Sequence, residues 1–504
     1  MLVTALVLLG GGFRLWGIWW GAPWRIDLHP DERAHVMSHA LAVSLADPDP
    51  KFLNYPSFLI YLIAITNGAL ARLGLVTEPW QSYIAARSIV AAFGAATVAV
   101  AYWLANEMTG SFLSAVLAAL WTALLPLHVW ESHFAVTDVV MTFWTVVALA
   151  CSVRLLRRTR VRDYMATGAA IGLAIASKYT GALVGLSPLV ASLIAPRPVA
   201  TLLAGLGALG LATIVFAFAA TPFSFLHFGQ FREAMAFEYQ HVHSLHYGFA
   251  LPAVGWQYHK YVYELFAGFP FSMGFALYAS AAVGTVWVLV RLRRELIPVL
   301  AFAVSFFAIV GHWPFTPLRY QLPVLVVGAV FAGIWQASWL ESASRARRVA
   351  GAVAVGATFV YTALFTFQTT DRLRHDTRIE AARWLDQTLK PGERLLLCGY
   401  SPYLAVPTDQ RILVTAANEV LISKLADRTD FDLAEITSMH YWRHERHRHP
   451  AFLPAYQRLR EGRTPLHLVK RFDADFLNRD LYRRLDPMFA GYFVSPTLEF
   501  YARD

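Results

Sequence analysis

The sequence predicts a polytopic α-helical membrane protein of about eleven transmembrane helices, followed by a small C-terminal mixed α/β soluble domain. Three observations predict it. Of 504 residues, 57% are apolar and 15% charged, where an ordinary soluble domain has roughly 25% charged. Acidic residues divide unevenly, 15 of the 34 lying in positions 1–370 and 19 in the last 134. Apolar stretches of roughly 20 residues, enough to cross about 30 Å of hydrocarbon, recur along the first part of the chain. The domains are therefore a transmembrane part over 1–370 and a soluble part over 371–504. Most of the Lys and Arg excess outside the tail sits in short loops between apolar spans, which is the signature of membrane topology and excludes a nucleic-acid surface. Cys151 and Cys398 lack metal-ligand spacing and share no environment, which excludes thiol chemistry.

Taken in order, apolar spans begin near positions 1, 57, 84, 111, 135, 199, 266, 296, 319 and 348. Met1 to Trp20 has no basic leader and no small-residue cleavage site, so it reads as a retained first span. The basic loops Arg154–Arg162, Arg291–Arg294 and Arg345–Arg348 belong inside by the positive-inside rule. Parity then requires that Ser57 to Leu75 lie along the outer surface as a juxtamembrane helix. It also requires that 164–195 cross twice, turning at Ser177-Lys178-Tyr179. The N-terminus is then inside, and the loops 21–83 and 220–265 and the tail lie outside. In the tail, Arg394-Leu395-Leu396-Leu397-Cys398 and Arg411-Ile412-Leu413-Val414 read as strands between helical stretches.

Unusual polar residues gather on the outer side of this map. Ionisable groups near a bilayer are expensive and are usually kept for function. The first outer loop carries Asp27-Leu28-His29-Pro30-Asp31-Glu32 directly after an apolar span rich in tryptophan. A partly desolvated carboxylate there suits general-base work or the holding of a divalent cation, and helix capping is the bland alternative. Asp138, in Ser132-His133-Phe134-Ala135-Val136-Thr137-Asp138, has no basic neighbour in the chain, so it either caps the next helix or finds its partner elsewhere in the fold. Lys178 and Arg319 interrupt apolar runs and are the cations that would receive a phosphate, with snorkelling to headgroups as the alternative. His241, His243 and His246 form an outer-loop cluster without a metal signature, and His444, His447 and His449 read as an exposed basic segment without chemistry.

These motifs together resemble the GT-C class of polyprenyl-phosphate-sugar-dependent glycosyltransferases, the superfamily of protein O-mannosyltransferases and lipid A aminoarabinose transferases. The matching pieces are His29-Pro30-Asp31-Glu32, Asn54-Tyr55-Pro56-Ser57, Arg87, the run ending at Asp138, Ser177-Lys178-Tyr179-Thr180-Gly181, Arg319-Tyr320-Gln321-Leu322-Pro323 and Asp376-Thr377-Arg378. The resemblance implies a carrier-lipid sugar phosphate as donor, an acceptor protein, lipid or glycan on the outer face of a cell membrane, and inversion at the sugar carbon. It implies Asp31, Glu32 and Asp138 as catalytic acids, with Asp31 the base. Lys178, Arg319, Tyr320, His29, His133, Tyr55 and Arg87 would then contact substrate. A divalent cation, Mg²⁺ or Mn²⁺ held by Asp31 and Asp138, is the one cofactor that this acid set admits. The chain differs from the aminoarabinose branch in having Tyr55-Pro56 for a Lys-Pro pair and Ala34 for an Arg. The rival reading, a transporter or flippase of a lipid-linked sugar, calls for polar residues in mid-span and a repeat symmetry that the sequence does not show.

Overall fold

The computed structural model describes residues 1–23, 28–243, 251–252, 258–315, 317–390, 392–397, 412–415, 425–448, 450–490 and 494–503. Trp24, Asp27, Leu245, His246, Thr316, Cys398, Arg411 and His449 lie outside them, so nothing above that falls on those residues is placed. The chain forms two compact units: Met1–Ile18 with His29–Ser244 and Tyr263–Thr370, and Trp19–Leu28 with Leu245–Val262 and Asp371–Asp504.

The first unit is helical: α1 (Leu2–Leu15), α2 (Ser38–Ala42), α3 (Phe58–Arg72), α4 (Pro79–Thr109), α5 (Phe112–Leu124), α6 (Pro126–Glu131), α7 (Thr137–Leu155), α8 (Val161–Ser177), α9 (Leu186–Ile194), α10 (Val199–Ala220), α11 (Phe223–Leu226), α12 (Phe228–His243), α13 (Lys260–Tyr263, at the junction of the units), α14 (Phe269–Met273), α15 (Phe275–Val290), α16 (Ile297–Val310), α17 (Leu322–Leu340) and α18 (Arg345–Asp371). Among the described residues five helices are long and apolar enough to cross a bilayer, and six shorter apolar ones accompany them. The protein is a polytopic membrane protein, as its composition predicts.

Helix contact here is steric as well as apolar. A Cβ on Gly168 would stand 2.2 Å from the Leu209 carbonyl oxygen, and one on Gly172 would stand 2.5 Å from that of Thr213. This small-xxx-small face lets α8 lie directly on α10. Arg14 of α1 is fully buried and donates to the carbonyls of Thr122 and Ala123 at 3.1 Å each, capping the C-terminal end of α5. The bundle centre is α7 with α17, the most enclosed of the long helices, whereas α10 and α18 keep most of their apolar surface exposed.

The second unit is a layered α/β domain. Its five-stranded sheet runs β2-β1-β3-β5-β4, where β1 is Arg394–Leu397, β2 Ile412–Thr415, β3 Leu433–Thr437, β4 Leu466–Phe472 and β5 Leu498–Arg503. β1 pairs in parallel with β2 and β3, and β5 pairs antiparallel with β3 and β4. Both strands expected from the sequence are present. Alternate residues face opposite layers: Leu395, Leu397, Leu498 and Phe500 pack on α19 (Thr377–Thr388). Leu396, Ala434, Ile436 and Tyr501 pack with Tyr441 of α20 (Ser438–Arg446) and Phe452 and Tyr456 of α21 (Phe452–Arg460). Two residues of the basic segment expected to be exposed lie inside this layer instead, while Arg448 is exposed. His444 stacks on Phe452 at 4.0 Å, and Arg446, equally buried, pairs with Asp486 at 3.1 Å. Amphipathic burial of α20 decides this, since its apolar Met439 and Trp442 draw the helix onto the sheet.

Candidate active site

The candidate site forms where helix ends meet. Asp138 lies in the first turn of α7, and Arg319 lies in the 3₁₀ turn Leu318–Gln321 that opens α17. Unpaired N–H groups at such N-terminal ends favour negative charge. Lys178 follows the last residue of α8, the end at which a cation is favoured. Asp31 precedes a wide π-helical turn, Glu32–Met37.

Four charges converge there. Lys178 Nζ donates to Asp138 Oδ1 at 2.6 Å, and Arg319 Nε stands 3.4 Å from Asp138 Oδ2. The Arg319 Nη2 group donates to Asp31 Oδ2. The Lys178 ammonium also stands 3.8 Å from the centre of the Tyr320 ring, a cation–π contact. Both cations are paired and largely enclosed, so neither snorkels to water. Neither acid makes a capping hydrogen bond. Asp31 is 24% exposed and Asp138 only 3%. Burial opposes the charge on Asp31, but attraction to Arg319, helped by His29 and His35, outweighs it and holds the carboxyl at about 2.

A second, fully buried cluster braces the first. Arg87 donates to both oxygens of Glu32, from Nε at 2.8 Å and from Nη2 at 2.7 Å, and to the Ile18 carbonyl at 3.3 Å. The Ala135 N–H donates to Glu32 Oε1 at 2.9 Å. His29 Nδ1 accepts from the Glu32 N–H at 3.3 Å, and burial pushes that imidazole down to about 4. The ring nitrogens of His133 stand 2.9 Å from the carbonyl oxygens of Val129 and Trp16. Glu32, Arg87, His29 and His133, expected at the substrate, are thus engaged inside the protein and fix the first loop against the turn before Asp138. Asp31, Asp138, Lys178, Arg319 and Tyr320 are the predicted residues that the fold brings together as one group.

A metal ion shared by Asp31 and Asp138 does not fit this arrangement, because the Arg319 guanidinium stands between the two carboxylates. Among the described residues no three His, Cys, Asp or Glu side chains gather as ligands. Of the histidine cluster in the second loop, His241 meets the Phe315 ring at 5.0 Å and His243 Nδ1 stands 2.7 Å from the Tyr239 carbonyl.

Two cavities adjoin the site and share Asn54, Tyr55, Glu238 and Tyr320 in their walls. One, of about 620 Å³, adds His35, Lys51, Phe52, Glu233 and His241. The other, of about 610 Å³, adds Lys178, Tyr179, Ala308, Ile309 and Trp313 and is the more apolar. Asn54 Nδ2 donates to Glu238 Oε1 at 2.9 Å in the shared wall. Sequence reasoning missed Glu238 and Glu131, the latter a buried acid ending α6. The available signal for Glu131 was its position as the single acid in the otherwise uncharged stretch 108–137, apart from His128 and His133.

Residues 75–229, which include Arg87, Asp138 and Lys178, match the family model of dolichyl-phosphate-mannose-protein mannosyltransferases. Among solved structures the chain is similar to ArnT from Cupriavidus metallidurans bound to undecaprenyl phosphate, at 17% identity over 99% of this chain and 97% of that one, with a TM-score of 0.49. It is also similar to the oligosaccharyltransferase AglB from Archaeoglobus fulgidus in complex with an inhibitory peptide and a dolichol-phosphate, at 13% identity over 94% and 73%, with a TM-score of 0.48. A third is the S. cerevisiae protein O-mannosyltransferase Pmt1-Pmt2 complex bound to the sugar donor, at 19% identity over 46% and 34%, with a TM-score of 0.36. No curated protein matches.

Proposed function

We propose that the protein moves one sugar from a polyprenyl-phosphate carrier to a hydroxyl or amine of a protein, lipid or glycan on the outer face of the cell membrane. The observation that carries this reading is Arg319 set between Asp31 and Asp138, with Lys178 on the far oxygen of Asp138. Two cations for a phosphate thus stand beside a carboxylate that reaches open space. All three acids are paired with a cation, but Glu32 is fully buried and Asp138 only 3% exposed, so Asp31, at 24% the one open to an incoming acceptor, is the base. The carrier enters from the apolar cavity that holds Lys178, and the acceptor from the polar cavity beside His35.

In the resting site Arg319 makes Asp31 a weak base. A donor phosphate that takes up part of the Arg319 guanidinium weakens that hold, so basicity rises when the donor is present. Asp31 then accepts the proton of the acceptor O–H or N–H as that atom attacks the anomeric carbon. The bond from this carbon to the phosphate oxygen breaks, and the electron pair leaves on the phosphate, where Lys178 and Arg319 receive it. Attack opposite the leaving group inverts the sugar carbon. With Arg319 standing between the carboxylates, the step is written without a metal.

Purified protein incubated with membrane extract and a panel of radiolabelled polyprenyl-phosphate sugars, in the presence of EDTA, is expected to transfer label from one of them. Transfer from none, with or without added Mg²⁺ or Mn²⁺, would sink the reading, and transfer only with added metal would sink its metal-free form. Lys178→Met and Arg319→Met keep the apolar stem and remove the charge. Each loses a charge-assisted bond of roughly 1.5–3 kcal/mol, so donor affinity should fall by about one to two decades. Unchanged donor binding in both would remove the two cations from the phosphate site.

A further inference from the structure

Glu131 is 1% exposed, and its Oε2 has no hydrogen-bond partner among the described residues. An ionised carboxylate in that state is costly. α6, which it ends, packs on the Leu318–Gln321 turn as well as on α1, α5, α7 and α14. On that same turn Gln321, also buried, has both amide atoms without a partner among the described residues. The charged and titratable groups presented by these neighbours are Arg14 on α1, Asp138 on α7, and Arg319 and Tyr320 on the turn, while His128 shares α6. Arg14 already binds carbonyls and the His128 ring. Asp138, Arg319, Asp31 and Lys178 all act on the Glu131 charge.

Apart from the half-exposed His35, which stands 3.9 Å from Asp31, the balance of charge in the site turns on this group. Asp31, Asp138 and Glu32 are balanced by Arg319, Lys178 and Arg87. A neutral Glu131 leaves that balance intact, and an ionised one makes the site anionic before any donor arrives. Burial pushes its carboxyl up to about 8; Arg319 and Lys178 oppose the rise, and Asp138 and Asp31 add to it.

We propose that Glu131 is a positioning residue, held as a neutral acid so that Arg319 and Lys178 can receive the phosphate of an anionic lipid donor, and that its ionisation shuts them to that donor. The proposal rests on the reading that these two cations bind the donor phosphate. The sign follows from linkage: raising pH through the titration of Glu131 adds a negative charge and weakens anion binding. By reciprocity, a bound phosphate must drive the Glu131 titration to higher pH.

The probe is farnesyl methyl phosphate, a prenyl phosphodiester whose single negative charge does not titrate near neutrality. Its affinity for the full-length protein in detergent should fall about tenfold as pH rises from neutral to two units above it, and Glu131→Gln should give a flat profile over the same range. In the infrared, the wild-type protein at neutral pH should show a protonated-carboxyl carbonyl band that is absent from Glu131→Gln and that persists to higher pH with the probe bound. A flat wild-type profile, a Glu131→Gln profile that falls in parallel, or absence of that band would overturn the role of Glu131 while the donor reading stood. Failure of the probe to bind the wild type at any pH would overturn the donor reading, and the proposal with it. The wild-type measurements carry the test even if the variant does not fold.

Discussion

Asp31→Asn is expected to lower turnover by about 10²–10⁴-fold, the contribution of a positioned general base, without weakening donor binding. Asparagine keeps the size and one acceptor oxygen but takes no proton. The ion pair with Arg319 sharpens the expectation. Losing the carboxylate frees a guanidinium that otherwise divides itself between Asp31 and Asp138, so donor affinity should hold or rise while the rate collapses. A purely structural Asp31 would move both quantities together. The wild-type pH profile offers a second check. In the free enzyme Arg319 holds the Asp31 carboxyl at about 2, so the acid limb of kcat/KM lies far below neutrality. A bound phosphate that draws on Arg319 raises that pKa, so the acid limb of kcat should lie at higher pH. Retention of more than about a tenth of wild-type turnover in the variant is more than loss of a general base allows. Coincident acid limbs would show that the donor does not loosen the pair.

Much of this site was legible in the sequence for one physical reason: a charge in an apolar run is costly and therefore conspicuous. Asp138, Lys178 and Arg319 each stand out in this way, and the fold joins them across 40 to 288 positions of chain with Asp31. What the sequence concealed was the pairing. Glu32 reads as a second catalytic acid and Arg87 as a substrate contact, yet each is the other's partner, 55 residues apart. The motif gives residue types, and only packing decides which of two adjacent acids faces inward. Glu131 stands out as a lone acid in an uncharged stretch, yet nothing local gave it a role. It belongs to no spaced motif, and its weight comes from the charges that other elements bring near it. In the tail, local runs reveal β1 and β2, whereas the insertion of β5 between β3 and β4 depends on long-range antiparallel pairing that no local pattern encodes.

The buried Arg87–Glu32 pair should dominate stability. Arg87→Met leaves a carboxylate at 0% exposure whose remaining hydrogen bond comes from the Ala135 N–H. Removing one partner of such a pair typically costs about 3–5 kcal/mol, which for a marginally stable fold is a large share of the total. The double variant Glu32→Gln with Arg87→Met removes both charges and keeps an oxygen to accept from Ala135, so it should be less destabilised than Arg87→Met alone. That ordering is the decisive feature, because simple loss of packing would make the double variant the worse of the two. Thermal unfolding in detergent measures it directly. The pair also ties the loop that carries Asp31 to the turn that leads into Asp138. Surviving folded Arg87→Met protein should therefore lose turnover as well, through displacement of the base from the acceptor. An unfolding midpoint for Arg87→Met equal to wild type, or a double variant less stable than the single one, would show that the charge pair does not brace the site.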